Sequence, residues 1–284
     1  MRKSLLAMLL PLLLAVAARA QVTVELLLDD EQFLRSESLP VRLKISNLSG
    51  QTLRLGQQPD WLSFTIEAQE GKPLAKTGEV PLPKAFAVES SKTASLRTDL
   101  MPHFDLSEPG HYSIRARVKV PQLDQDLTTA TKTFDIVNGT KLWEKEVGVP
   151  GTDPLVVRKF TLQQATFLKQ LRLYVRITDA NESKVIRVFP LGTLLSFSAP
   201  EPAIDQSSQL HVLFQNGARS FLYSVIAPDG EQLVRQTFDQ TTTRPRLRAE
   251  QDGRVTVHGG ARRILLSDLP PPHVAKTNDT VDSK

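Results

Sequence analysis

The sequence contains no cysteine. That absence excludes disulfides, thiol nucleophiles and cysteine-ligated zinc together. Glycines occur singly except for the pair Gly259-Gly260, so there is no glycine-rich loop to cradle a phosphate. No Gly-x-Ser-x-Gly is present, which removes the serine nucleophile elbow. After the first 20 residues no apolar run approaches the ~20 residues needed to cross a bilayer. Nor is there an excess of charge. The formal charge of +4 falls to +1 once Arg2, Lys3 and Arg19 are set aside with the N-terminal segment. Global electrostatics therefore gives no reason to expect nucleic acid as a partner.

That N-terminal segment is the first positive feature. Met1-Arg2-Lys3 is a short basic start, and Leu5 to Ala18 is an apolar run broken only by Pro11. Ala18-Arg19-Ala20 supplies the small residues read by a signal peptidase. A cut between Ala20 and Gln21 is expected, leaving an exported chain of residues 21–284. The run is too short for a membrane anchor, and without cysteine it cannot be lipidated as a lipoprotein. An exported chain without disulfides must be stabilised by burial alone, and this favours a bacterial envelope over a eukaryotic secretory route. Four of the five asparagines, Asn47, Asn138, Asn181 and Asn278, stand in Asn-x-Ser/Thr sequons and pull the other way.

Beyond residue 20, period-2 alternation dominates. Val41 to Ile45, Ile114 to Val120, Leu171 to Ile177 and Val255 to Val257 each read as strands with one buried and one wet face. The 19 prolines and recurrent Asp-Gly and Asn-Gly pairs break any long helical pattern. The one helical expectation is a short segment over Thr161–Gln170, from the helix-tolerant run Leu162 to Leu168. A boundary is expected near Val137–Thr140. Before it lie about seven candidate strands, near Val22–Leu28, Leu39–Asn47, Thr52–Leu55, Leu62–Ala68, Thr93–Asp99, Tyr112–Val120 and Thr131–Val137. That number in so short a span suits a two-sheet sandwich. After the boundary, Leu210–Phe214, Ser220–Ile226, Gln232–Phe238 and Arg244–Ala249 read as four strands joined by hairpin turns at Asn216-Gly217 and Pro228-Asp229-Gly230. Similar units begin at Leu171 and at Val255. Residues from Pro270 onward read as a polar, disordered tail.

Two resemblances follow from these residues. Glu108, Gly110, Tyr112 and Ile114, each two positions on, resemble the corner and strand of immunoglobulin-like domains, with Ile114 where antibody domains have a cysteine. The resemblance covers residues 21–138 and implies that the Tyr112 hydroxyl satisfies backbone groups at the sheet corner; Trp61 is a candidate core aromatic. The spacing of the units at Leu171, Leu210 and Val255 resembles that of β-propeller blades. About 145 residues hold too few blades to close a ring, so a second sandwich or a meander stays open beside that resemblance. The expected architecture is all-β: an immunoglobulin-like sandwich over 21–138, then a hairpin, meander or blade-like domain over 139–269.

Candidate sites are few. Arg244, Arg246 and Arg248 alternate, so in one strand their guanidiniums would point the same way and could clamp carboxylates, phosphates or acidic sugars. The same alternation at Arg42/Lys44, Arg115/Arg117/Lys119 and Arg172/Arg176 makes wet-face cations a general habit of the chain. The histidines, His103, His111, His211, His258 and His273, share no metal-ligand spacing. Asp29-Asp30-Glu31 and Asp124/Asp126 lack the pattern of a calcium loop and read as solvated turns. No cofactor and no metal are expected. The best-supported expectation is a periplasmic or secreted, non-enzymatic binding or assembly module for an envelope or extracellular protein or glycan. It would not be membrane-embedded and would not bind nucleic acid, and its oligomeric state stays open. Two alternatives also stay open: a secreted hydrolase acting on glycans with a sandwich accessory domain, and a structural subunit of an envelope assembly.

Overall fold

The computed structural model describes residues 22–69 and 71–270. The expected leader, its expected cut between Ala20 and Gln21, and all but the first residue of the expected polar tail lie outside the described residues. The chain is all-β and sandwich-like. Helical structure among the described residues is limited to two single 3-10 turns, Met101–His103 and Pro121–Leu123. The chain divides into two compact units. The first comprises Leu39–Asp105, Gly110–Asp135 and the segment ending at Glu31; the second comprises Gln32–Ser38, Leu106–Pro109 and the chain from Ile136 onward.

The first half of the chain forms β1 (Val22–Leu28), β2 (Gln32–Leu34), β3 (Pro40–Asn47), β4 (Leu53–Leu55), β5 (Leu62–Ala68), β6 (Phe86–Val88), β7 (Lys92–Asp99), β8 (Gly110–Val120), β9 (Gln125–Thr128) and β10 (Lys132–Val137). In the first unit, β1, β3 and β7 make one antiparallel sheet. β10, β8 and β5 make another, with β9 beside β8, and β4 pairs with β6 as a small ribbon. Alternation in sequence becomes alternation in burial. Along β3, Val41, Leu43 and Ile45 are buried and Arg42 and Lys44 face out. Along β8, Tyr112, Ile114, Ala116, Val118 and Val120 are buried. Tyr112 stacks on Phe134 at 5.6 Å between ring centroids, and buried Trp61 meets Phe86 edge-on at the same distance.

The outward cations of this unit are matched by acids. Asp29 receives Arg42 and Arg97, Glu67 receives Arg115, Asp126 receives Arg117, and Asp60 receives Lys119. The hydrogen bond from Lys119 holds the Asp60 carboxyl below its usual range. Exposed pairs of this kind add little stability, but they keep the wet faces charged and unattractive to a neighbouring strand. Asn47 is fully buried, and its amide is committed at both ends. Nδ2 donates to the carbonyls of Gln51 and Val88, and Oδ1 accepts from Ser49. A glycan could not be attached there in the folded chain.

The second half forms β11 (Thr140–Gly148), β12 (Val157–Phe167), β13 (Gln170–Asp179), β14 (Val185–Leu194), β15 (Glu201–Ile204), β16 (Leu210–Gln215), β17 (Ser220–Ile226), β18 (Gln232–Asp239), β19 (Arg246–Ala249), β20 (Val255–His258) and β21 (Ala261–Arg263). β11 to β14 run as a four-stranded meander, and β15-β16-β17-β18-β21 form a five-stranded sheet. One core joins them. Phe160, Leu162, Leu173, Val175 and Ile177 of the meander pack in a single cluster with Leu210, Val212, Phe214, Leu222 and Ile226. The opposite face of the five-stranded sheet is also covered. Leu213, Phe221, Tyr223 and Val225 pack with Leu247 and Val257 of the β19–β20 hairpin. β16 and β17 are thus buried on both faces, which explains their near-continuous apolar sequence. Segment 32–38 belongs to this unit through Leu34, which clusters with Ala165, Tyr174 and Val188, and through the Arg35 N–H, which donates to the Val137 carbonyl at 3.1 Å.

Two expectations are corrected here. Thr161–Gln170 is not a helix. Residues 157–167 form β12 and turn tightly through Leu168 and Lys169, both at positive φ, into β13. The helix-tolerant residues are overridden because Phe160 and Leu162 fill the core while the backbone pairs on both sides with β11 and β13. Secondly, Arg244–Ala249 does not supply the strand beside β18. β19 begins at Arg246 and pairs with β20, and the position next to β18 is taken by β21.

Candidate functional site

The arginine row does not assemble as a single strand face. Arg246 and Arg248 lie on β19 and share its exposed side, with the Arg246 guanidinium on Glu201 at 2.6 Å. Arg244 stands before the strand, separated from it by buried Pro245. Its guanidinium lies 5.0 Å from the Phe221 ring centroid and reaches the Ser198 hydroxyl at 3.4 Å. The backbone therefore brings two of the three together and places the third elsewhere. Tyr112 and Trp61 both sit in the core of the first unit. Among the described residues no group of three or more His, Asp or Glu could hold a metal ion.

A buried polar chain lies under the β19–β20 hairpin. His211 Nδ1 meets the Tyr223 hydroxyl at 2.7 Å, and His211 Nε2 meets Asp205 at 3.1 Å. Asp205 also accepts the backbone N–H groups of Ser207 and Gln209, each at 2.9 Å, and so shapes the turn between β15 and β16. The adjacent Gln206 N–H donates to the Gly253 carbonyl in the hairpin turn. Burial, reinforced by the Asp205 charge, pushes the Tyr223 hydroxyl up to about 12. The raised value means that the fold favours the neutral phenol. Below pH 10 both folded and unfolded chains keep the proton, and nothing is lost. Between about pH 10 and 12 only the unfolded chain releases it, so stability falls by ~1.4 kcal/mol per pH unit. Urea unfolding of wild type and Tyr223→Phe across this window is expected to show that extra fall in wild type only. Parallel curves would refute the burial of the phenol.

The cleft with the most suggestive chemistry lies elsewhere in the second unit. It measures about 410 Å³ and is lined by Arg172, Pro190, Leu191, Gly192, Thr193, Asn216, Leu222 and Arg235. Its shape comes from an irregularity in β14. Leu173 pairs with Gly192 and Tyr174 with Pro190, so Leu191 is an extra residue, a β-bulge at the free edge of the meander. Gly192, at φ 150°, passes over Phe214 and Leu222, with space for a Cβ only 3.5 Å from the former. Thr193 pairs with Arg172, whose guanidinium lies 3.6 Å from the Phe167 ring centroid. From the other sheet, β18 contributes Arg235, held by a reciprocal backbone pair with Leu269, and the β16–β17 turn contributes Asn216.

Two buried polar atoms belong to residues of this lining. Arg235 Nε and Asn216 Oδ1 are buried without a hydrogen-bond partner among the described residues. Each such atom costs about 1–3 kcal/mol. Arg172 and Arg235 are the cations of its lining. Two other concavities among the described residues differ. One lies around Lys119, Asp124 and Asp126, the other around Glu250, Asp252, Arg254 and His258, and each mixes cations with acids that already pair with them or their neighbours. Sequence reasoning missed the cleft, because its residues come from separate strands and share no short spacing. The available signal was Arg235 itself, the one charged residue in the run Gln232–Phe238 of β18.

No family model matches the sequence, and no curated protein does. Among solved structures the chain is similar to the alkylpurine DNA glycosylase AlkC of Pseudomonas fluorescens, determined bound to DNA containing an abasic-site analogue, at 15% identity and a TM-score of 0.30. That match covers 42% of this chain and 31% of the glycosylase, so the chain spans under a third of its length. It is also similar to the sporulation control protein Spo0M of Bacillus subtilis, at 7% identity and a TM-score of 0.31, over 55% of this chain and 79% of the other.

Proposed function

We propose that this protein is an exported, non-enzymatic binding module that recognises an anionic group on an envelope or extracellular protein or glycan. Export rests on the basic start, the apolar run and the Ala18-Arg19-Ala20 site. The immunoglobulin-like reading of the first unit concerns its fold and names no function. The observation that carries the binding reading is the cleft of the second unit, whose lining sets Arg235 beside the apolar residues Pro190, Leu191 and Leu222. Guanidinium forks match carboxylate and phosphate geometry, and partial burial strengthens the attraction.

Calorimetry of the purified protein with anionic and neutral glycans and peptides tests this. Binding is expected only for anionic ligands, to weaken with salt, and to fall at least tenfold or so in Arg235→Gln, the loss typical of one charge-assisted hydrogen bond. The ligand is expected back unchanged after long incubation. Steady turnover of a ligand, or anion binding indifferent to Arg235, would reject the proposal.

A further inference from the structure

The loops of the second unit gather at two ends, and the ends carry opposite charge. At one end Leu194 of β14 lies opposite Leu171 of β13, and the Leu195 N–H donates to the Gln215 carbonyl at the end of β16. Turn 168–169, loop 195–200, turn 216–219 and loop 240–245 share that end. At the other, the Ser208 hydroxyl reaches the Gly148 carbonyl at 2.6 Å, and Arg187 reaches the Gly230 carbonyl at 2.9 Å. Loops 149–156, 180–184, 205–209, 227–231 and 250–254 meet there, and they hold seven acids and two cations. The loops of the first end hold Lys169, Arg219 and Arg244 and no acid. The acids at its strand ends, Glu201 and Asp239, are paired with Arg246 and Arg263.

The basic end also presents apolar tips. Leu168 is 76% exposed and Phe197 79%. Leu168 and Lys169 make a two-residue hairpin turn at positive φ, 46° and 65°, a conformation that favours Asn-Gly. Neither backbone preference nor burial accounts for a leucine there. Phe197 tips the turn that the Ser198 N–H closes on the Leu195 carbonyl at 2.9 Å. Exposed Arg219 donates to the carbonyls of Gln240 and Thr241, which hold its charge in place without neutralising it. The two apolar tips stand on separate loops, so a protein partner would need a pocket for each. A bilayer needs none: apolar tips enter between headgroups while cations beside them stay with the lipid phosphates.

We infer that this end of the second unit docks on an anionic lipid surface. Leu168 and Phe197 enter the headgroup layer, Lys169 and Arg219 face the phosphates, and the acidic end is turned away. None of these four residues lines the cleft around Arg235, so lipid docking and anion binding in the cleft can fail independently.

The test is co-sedimentation of the full exported protein with vesicles of phosphatidylcholine alone or mixed equally with phosphatidylglycerol. Binding is expected to the mixed vesicles only, and to weaken with salt. Phe197→Ala and Leu168→Asn are each expected to weaken it about tenfold, and Lys169→Gln about fivefold. Leu168→Asn is expected at the same time to raise the melting temperature, because asparagine adopts positive φ more readily. A loss of binding in a more stable variant cannot come from unfolding. Leu155→Ser, at a tip 68% exposed among the acidic loops, is expected to leave binding unchanged. No binding to the mixed vesicles would overturn the inference, as would binding that keeps its full strength in both Phe197→Ala and Leu168→Asn. Loss in Leu155→Ser as large as in Phe197→Ala would overturn it too. Capture of poly-glutamate through Lys169 and Arg219, with the mixed vesicles ignored, would assign this end to an acidic protein instead.

Discussion

Replacing Phe214 with alanine is expected to destabilise the second unit by about 3–5 kcal/mol. Phe214 is 1% exposed, lies on a strand paired on both sides, and faces the core shared by the meander and the five-stranded sheet. Its ring also packs under Gly192, so truncation opens a cavity that the bulged backbone of β14 cannot close without losing its pairing with β13. Such a loss is a large part of the 5–15 kcal/mol that a domain commonly has. The two tryptophans offer a clean readout, because Trp61 belongs to the first unit and Trp143 to the second. Labelled with 5-fluorotryptophan, each gives its own fluorine signal during urea unfolding. The Trp143 transition is expected to move to markedly lower urea. A shift of that transition worth less than about 1 kcal/mol would mean that the two sheets do not share this core.

Asp205→Ala is expected to cost about 3 kcal/mol, for a different reason. The substitution removes the acceptor for two turn N–H groups and leaves His211 Nε2, in a side chain only 7% exposed, without its partner. Asp205→Asn keeps an oxygen for the turn and a polar neighbour for His211, so it is expected to lose less than half as much. The same fluorine signals measure both variants. Equal losses would assign the effect to the charge alone; negligible losses would show that the polar chain under the hairpin contributes nothing to stability.

Where one face of a strand is buried and the other wet, the sequence states its structure openly. All seven strands expected in the first half are present, and the alternations at Val41–Ile45 and Ile114–Val120 become alternations of burial. The strands that went unseen break that pattern for identifiable reasons. β12 is buried at Phe160, Thr161 and Leu162 in succession, so it has no period of two. β14 contains Pro190 and Gly192, residues that signal a break in a chain but are tolerated at an edge strand with a bulge. β21 is three exposed residues paired along one edge with β18. The partner of β18 was misplaced because adjacency in sequence is the usual guide, and here β19 instead folds over the sheet to cover Phe221 and Tyr223.

The candidate site was illegible for a related reason. A row of arginines two residues apart is visible in a sequence, and Arg244, Arg246 and Arg248 drew attention on that ground. Pro245 and the late start of β19 divide that row. The two cations that do share a cleft, Arg172 and Arg235, are 63 residues apart and are brought together only by the stacking of two sheets. Asn216 looked like half of a turn signal, which it also is; only the fold shows that its oxygen is left unmet.

The most direct test of the binding account observes the arginine side chains themselves. In a nitrogen-15 spectrum tuned to guanidinium Nε–H groups, an anionic oligosaccharide or peptide that binds is expected to move the Arg235 signal. The signals of Arg246 and Arg248 are expected to stay where they are. Movement of Arg246 and Arg248 with Arg235 unmoved would place recognition on the hairpin, and a spectrum indifferent to every anion added would contradict the account.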